Sequence, residues 1–250
     1  MQQWELAENL SPVLASGDGM ASWSLLPRAP SLASLVELLL DTPQFFVMFW
    51  NSLKLACCIV GGQLLVGVPA AWSLARFRFP GSRAVSMIYL VLMLMPFQVL
   101  MFPEYLVLNG MGLLDTHSAV ILPAVFSTFP VFIIQRFFAA IPEEILEAAR
   151  IDGAGELRLF FHIGVPLGAS GIVSAGILGF LEAWNMIEQP MTFLKTKSLW
   201  PLSLFLPQIT VEDAAFGFTA ALMMLIPAVL VFLSGQEYLE QGIAAAALKG

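Results

Sequence analysis

Charge is what this chain has least of. Of its 250 residues only 12% are Asp, Glu, Lys or Arg, about half the share of an ordinary soluble domain. The formal net charge is −7, and the eleven Lys and Arg form no cluster with interleaved aromatics. That combination excludes a nucleic acid as partner. Cysteine is equally scarce. Cys57 and Cys58 are adjacent inside an apolar run, which rules out a disulfide framework and reads as two small buried apolar side chains. No GxxxxGK[ST] phosphate loop occurs, because the lysines within 194–198 lack the glycines that would cradle a phosphate. His117 falls in a loop and His162 at a span boundary, with no nucleophile and base to pair them with. No enzyme activity, cofactor or metal is therefore expected. The first nineteen residues hold Glu5, Glu8 and Asp18, so neither the basic start nor the apolar stretch of a cleavable signal peptide is present.

What the chain has in abundance is apolar sequence: 58% of residues are hydrophobic. They gather into uncharged runs of about 18 residues or more, enough to cross a hydrocarbon core as helix. Five spans are expected, at 45–75, 84–103, 118–135, 163–181 and 214–236, which makes the chain an all-α integral membrane protein. Residues 1–44 are broken by Pro12, Gly17, Gly19, Pro27 and Pro30 and read as loop. One short helix is expected over 31–40, capped by Ser31 and closed before Pro43. Pro69, Pro96, Pro123, Pro130 and Pro227 lie inside the spans. Each removes a backbone donor, so bent or locally unwound helices are expected, as suits a wall that lines a cavity. Lys54, Glu104 and Glu182 fall near span ends, and no carboxylate sits mid-run, which argues against an ion-driven carrier.

Retained basic residues set the orientation. The connection 76–83 carries Arg76, Arg78 and Arg83, and the connection after the third span carries Arg150 and Arg158 with Arg136 at its border, so both face the cytoplasm. Alternation then places 109–117 and 188–213 outside and 237–250 inside. Five crossings also leave 1–44 extracytoplasmic with nothing upstream to export it. A further helix ahead of Met1 is the expected resolution.

The connection 137–162 is too long for a turn and too short for a domain. Within it Pro142 suits a first helical position, Glu143 and Glu144 suit the positive end of a helix dipole, Arg150 suits the last turn, and Gly153 is a natural stop. On that helix Ile145, Ala148, Ala149 and Asp152 share one face by three- and four-residue spacing. Two alanines give this face low relief, so a second body can approach closely. A second helical piece over 156–161 offers Leu157, Phe160 and Phe161 for burial. Such a pair of helices on a membrane surface is suited to docking a soluble partner or to resting on lipid headgroups.

The run Glu147-Ala148-Ala149, three residues, Gly153, nine residues, Ile163, one residue, Val165-Pro166 resembles the EAA signature of ABC importer permeases, with Val165 where the family pattern has leucine. The wider resemblance is to carbohydrate-importer permeases of the maltose (MalG-like) type. It rests on ordered landmarks: Thr42-Pro43, Asn51-Ser52, Arg78-Phe79-Pro80-Gly81, Pro96 with Gln98-Val99, Gly112-Leu113-Leu114-Asp115-Thr116, Gln135-Arg136-Phe137-Phe138, Ile151-Asp152-Gly153-Ala154, Trp184-Asn185, and Gln241-Gly242 to Lys249-Gly250. The resemblance implies a family norm of six spans. It also implies a permease at the cell membrane working with a second permease subunit, a cytoplasmic ABC ATPase dimer and an extracellular or periplasmic solute-binding protein. On that pattern Glu147, Ala148, Ala149 and Gly153 would sit in a groove of the ATPase, with Asp152 and Pro166 beside them, as a coupling helix. Sugar hydroxyls call for hydrogen-bonding groups and aromatic faces along the path; the candidates are Gln63, Ser86, Tyr89, Gln98, Trp184 and Asn185. The alternatives are a permease for another solute such as glycerol phosphate and a non-transporting membrane scaffold.

Overall fold

The computed structural model describes residues 31–77, 79–205 and 214–247, together with 8 and 11. Arg78, the ending Lys249-Gly250 and most of the 1–44 segment lie outside the described residues. Every regular element among the described residues is helical.

A short helix α1 (Ala33–Val36) runs on through a π-turn over Glu37–Asp41, with the Ala33 N–H donating to Ser31 Oγ. Helix α2 (Pro43–Arg76) follows, opened by Pro43 at its first position and passing through Pro69 without a break. Its 34 residues make about 51 Å of helix at 1.5 Å per residue, longer than a hydrocarbon core of ~30 Å. Next come α3 (Ser82–Met93) and α4 (Phe97–Gly110), α5 (His117–Val125) and α6 (Thr128–Ala140), α7 (Glu143–Ile151), and α8 (Glu156–Leu159). The chain then forms a π-turn at Phe160–Gly164 and continues through α9 (Ala169–Trp184), α10 (Glu188–Phe193) and α11 (Ala214–Ala247).

Among the described residues three helices are long and apolar enough to cross a membrane: Pro43–Arg76, His117–Ala140 and Ala215–Glu240. Two bent pairs raise this to five if each is one crossing. The α3–α4 pair bends by 100° where Pro96 adopts an extended backbone, φ −70° and ψ 146°. The segment ending at Leu167 bends by 68° onto α9. Between α5 and α6 the ladder lapses at Phe126 and Ser127, just after Pro123. Prolines thus break helices at some positions and are absorbed at others.

Helix α2 is the centre of the bundle, packed on α5, α6 and α9, while α9 also packs on α6 and α11. Two apolar clusters hold these helices. One gathers Phe45, Met48, Leu55 and Ile59 with Trp184 and Leu202 at one end. The other gathers Ala71, Trp72, Ile134 and Phe138 with Leu146 and Leu159 at the opposite end. Because α2 buries positions 55, 56, 59 and 63, Cys57 and Cys58 turn to the other face and are exposed, which corrects the expectation that they are buried.

The second cluster depends on close backbone approach. A Cβ placed on Gly164 would lie 2.5 Å from the Trp72 ring, and Trp72 is itself locked edge-on against Phe138 at 5.2 Å. Overpacking costs about 1–3 kcal/mol, so Gly164→Val is expected to lower the melting temperature of the detergent-solubilised protein. An unchanged melting curve would refute this packing account.

Candidate functional site

A cavity of about 620 Å³ lies where the helix breaks meet. Leu92, Met93, Met95 and Phe97 line it from the α3–α4 bend, Pro123, Ala124, Phe126 and Ser127 from the α5–α6 break, and Leu178, Gly179 and Ala183 from α9. Irregular backbone at membrane depth is tolerated where it lines such a space. Gln63 secures the junction. It lies on α2 between the two apolar clusters, is only 5% exposed, and donates from Nε2 to the Ala124 carbonyl at 2.9 Å. That carbonyl lies at the break, where the Ser127 N–H also donates to it at 3.2 Å.

Two carboxylates, Glu104 on α4 and Glu182 on α9, also line the cavity. Glu104 lies well inside α4, which continues to Gly110, and this corrects its reading as a span end, whereas Glu182 keeps its expected place near the end of α9, which closes at Trp184.

One end of the bundle carries α7. Its N-terminus is held by Arg76, the last residue of α2. The guanidinium donates to the Phe138 carbonyl at 2.5 Å, the Ile141 carbonyl at 2.6 Å and Glu143 Oε2 at 3.0 Å, and it stands over the Trp72 ring at 5.8 Å. Glu143 passes the charge on to Arg150 at 2.9 Å, and Arg150 to Glu156 at 3.2 Å, so α7 and α8 are laced together. Hydrogen bonding from Arg150, aided by the Arg76 charge, lowers the Glu143 carboxyl below its usual range. Leu146 is fully buried beneath the helix, an anchor of about 1.5–3 kcal/mol. The C-terminus is a Schellman closure. The Gly153 N–H bonds to the Arg150 carbonyl at 3.0 Å and the Ala154 N–H to Ala149 at 2.9 Å, with Gly153 at φ +84°.

The face of α7 turned away from the bundle shows Ile145, Glu147, Ala148, Ile151 and Asp152, all exposed. Ala149 is half-buried against the core, so it supports the face from beneath rather than forming it. The expectation for the following piece is corrected too. Phe160 is buried as expected, but Leu159 is the residue buried beside it, while Leu157 and Phe161, one helical turn apart on the other face, are 76% and 61% exposed. Ile151, Leu157 and Phe161 therefore extend the exposed face with apolar surface.

The opposite end is pinned by Asp115. One carboxylate oxygen accepts the N–H groups of Lys195 and Thr196, each at 2.8 Å, and the other accepts the Thr196 hydroxyl at 2.6 Å. These bonds, the Thr196 hydroxyl foremost, hold its pKa below the usual 3.8. A depressed carboxyl contributes stability present above its unfolded value and lost as pH falls through its folded one. Asp115→Ala is expected to speed hydrogen exchange at the Lys195 and Thr196 amides at neutral pH and to leave α7 unchanged. Equal exchange at both amides would refute the latch.

The family model described as the inner membrane component of binding-protein-dependent transport systems matches residues 63–245, the stretch that contains α7 and all of the cavity lining but Ile59. This chain belongs to that family. The permease is thus a multi-pass protein of the cell membrane. It is 30% identical over 208 residues to the sn-glycerol-3-phosphate transport system permease protein UgpE of Yersinia pestis, covering 81% of this chain and 74% of that one. It is 30% identical to the lactose transport system permease protein LacG of Rhizobium radiobacter, covering 79% and 73%. With the arabinooligosaccharides transport system permease protein AraQ of Halalkalibacterium halodurans it shares 27% identity over 90% of this chain and 81% of that one. A crystal structure of a bacterial ABC transporter involved in the import of the acidic polysaccharide alginate has the same fold. Its TM-score is 0.75 at 23% identity, over 94% of this chain and 88% of that chain.

Of the permease's six candidate path residues, Gln63 alone is among those lining the cavity. Gln98 donates to Glu188 at 2.6 Å. Trp184 is buried, stacks on Phe180 and donates to the Met224 carbonyl at 3.1 Å. Asn185 bonds back to the Leu181 carbonyl at 2.8 Å. Tyr89 packs against the Trp72 cluster, and Ser86 sits half-buried on α3. Arg76, Glu104 and Glu182 are the site residues that sequence reasoning left out.

Proposed function

We propose that this permease is one of two membrane subunits of an ATP-driven importer of carbohydrate. The cavity at the helix breaks is this chain's share of the solute path, and α7 is the element that seats a cytoplasmic ATPase. The observation that carries the proposal is α7 itself, whose outer face of Ile145, Glu147, Ala148 and Asp152 is exposed while its underside is fastened through Leu146 and Arg76 to the bundle. Low relief outside and rigid attachment inside suit an element that receives a push and passes it to α2 and α6. Glu147, Ala148, Asp152 and Gly153 form the seat, Ala149 backs it, and exposed Pro166 closes the motif.

Two relatives named for sugars, lactose and arabinooligosaccharides, support the solute class. The ATPase dimer, the second permease and a solute-binding protein follow from the family's mode of transport, and lipid surrounds the assembly. In the cycle, drawing two α7 elements together tilts α2 and α6 at the helix breaks. A solute shifts that equilibrium only by its difference in affinity between the two states.

The test is uptake of radiolabelled lactose and arabinooligosaccharide by membranes carrying the permease together with an ABC ATPase, a second permease and a solute-binding protein. Glu147→Lys reverses the charge on the seat and is expected to abolish uptake and ATPase recruitment while membrane insertion stays intact. Normal uptake by that variant sinks the seat. Uptake of glycerol phosphate in place of both sugars sinks the carbohydrate reading.

A further inference from the structure

We propose that the cavity is a selectivity filter for charge: it accepts solutes whose polar groups are hydroxyl or amino donors and rejects those bearing a phosphate or carboxylate. This rests on the reading of the cavity as the solute path.

The charged side chains lining it are Glu104 and Glu182, and no Lys, Arg or His stands among the lining residues. Among the described residues neither carboxylate has a salt-bridge partner. The nearby Glu188 is, by contrast, occupied by the Gln98 amide. A second and independent acceptor points the same way. Gln63 is 5% exposed and commits its amide N–H to Ala124. Its Oε1 receives no donor among the described residues and sits at the cavity wall, 2.7 Å from where a Cβ on Gly179 would lie. Ser127, Thr128 and Gln189 complete the polar lining.

Among the described residues the wall therefore presents two carboxylates without a salt bridge and the carbonyl oxygen of a glutamine side chain, all of which accept from donors. Apolar walls of Leu, Met and Phe surround them, and low-dielectric walls focus the field of a like-signed pair into the cleft. A sugar satisfies those acceptors with its hydroxyl groups. An anion meets repulsion from the carboxylates, a built-in unfavourable contact of the kind that sets specificity. The same wall that suits a neutral sugar disfavours glycerol phosphate and uronates.

The charge can be read without knowing the solute. In a background carrying Cys57→Ser and Cys58→Ser, the substitution Ser127→Cys puts one thiol at the α5–α6 break. Membranes of the assembled transporter, in both orientations, are treated at about pH 8 and low ionic strength with a cationic methanethiosulfonate (ethyltrimethylammonium) or an anionic one (ethylsulfonate). Rates are divided by those of the same reagents on a free thiol. Field focusing of this kind changes local ion concentration by about 10- to 1,000-fold, so a normalised preference for the cation of at least about tenfold is expected. The preference should collapse towards unity in the Glu104→Gln, Glu182→Gln double variant. A ratio near unity in the parent, a ratio unmoved by the double variant, or no reaction with either reagent would each overturn the proposal. Failure here leaves the carbohydrate importer intact, since sugar uptake decides that separately.

Discussion

Arg76→Ala is expected to uncouple the transporter, leaving the chain inserted but reducing solute uptake by on the order of tenfold or more, the factor that about 1.4 kcal/mol produces. Arg76, the last residue of α2, bonds to the carbonyls of Phe138 and Ile141 at the end of α6 and to Glu143 at the start of α7. Hydrogen bonds to a charged group contribute about 1.5–3 kcal/mol each, and water at this edge recovers part of the loss. What water does not restore is the rigid link. Without it, a displacement of α7 is taken up in the 141–142 connection instead of reaching α2. Arg76→Lys keeps the charge but not the planar fork that reaches several acceptors at once, so it should recover only part of the coupling. The measurement is ATPase activity against solute uptake in proteoliposomes. Alanine should retain ATP hydrolysis with uptake lost, and tight coupling in that variant would refute the role.

The importance of Arg76 is invisible in the sequence because it arises from contacts 62 to 67 residues away. Read locally, it is one of three arginines that orient a loop. Helix α7 was legible because its signals are local: Glu143 and Glu144 at the first turn, Arg150 in the last, Gly153 just beyond. Even there Pro142 stands one place ahead of the helix rather than inside it. Glu104, inside α4 and not at its end, was misread for a physical reason. A hydropathy window ends a span where it meets a charge, but a carboxylate can remain within a span when the helix bends around a cavity that solvates it. The break at Pro96 and the unbroken passage of α2 through Pro69 make the same point, since a proline weakens one backbone bond and the neighbours decide whether the helix yields. Which face of this piece turns inward, burying Leu159 and exposing Leu157, is decided by packing in the cluster of Trp72 and Phe138, which the local pattern does not contain.

Gly153→Ile is expected to abolish most transport while the bundle keeps its melting temperature, and the graded series at this position identifies the cause. Gly153 holds φ at +84°, and no atom lies within 4 Å of where its Cβ would be. Within this chain the objection to a side chain is therefore conformational and not steric. A left-handed backbone costs an ordinary L-residue about 1–2 kcal/mol, and a β-branched residue suffers most. Relieving that strain would open the Schellman closure, freeing the carbonyls of Ala149 and Arg150 and unwinding the end of α7 just below Ile151 and Asp152. Asparagine tolerates this conformation, so Gly153→Asn should retain most of the uptake and Gly153→Ala an intermediate share. If the need is instead clearance for a partner packed on the exposed glycine, asparagine should fail as badly as isoleucine, and alanine should do better than either. Uptake ranked Asn above Ala above Ile supports a closure that shapes the seat, and the order Ala above Asn overturns it.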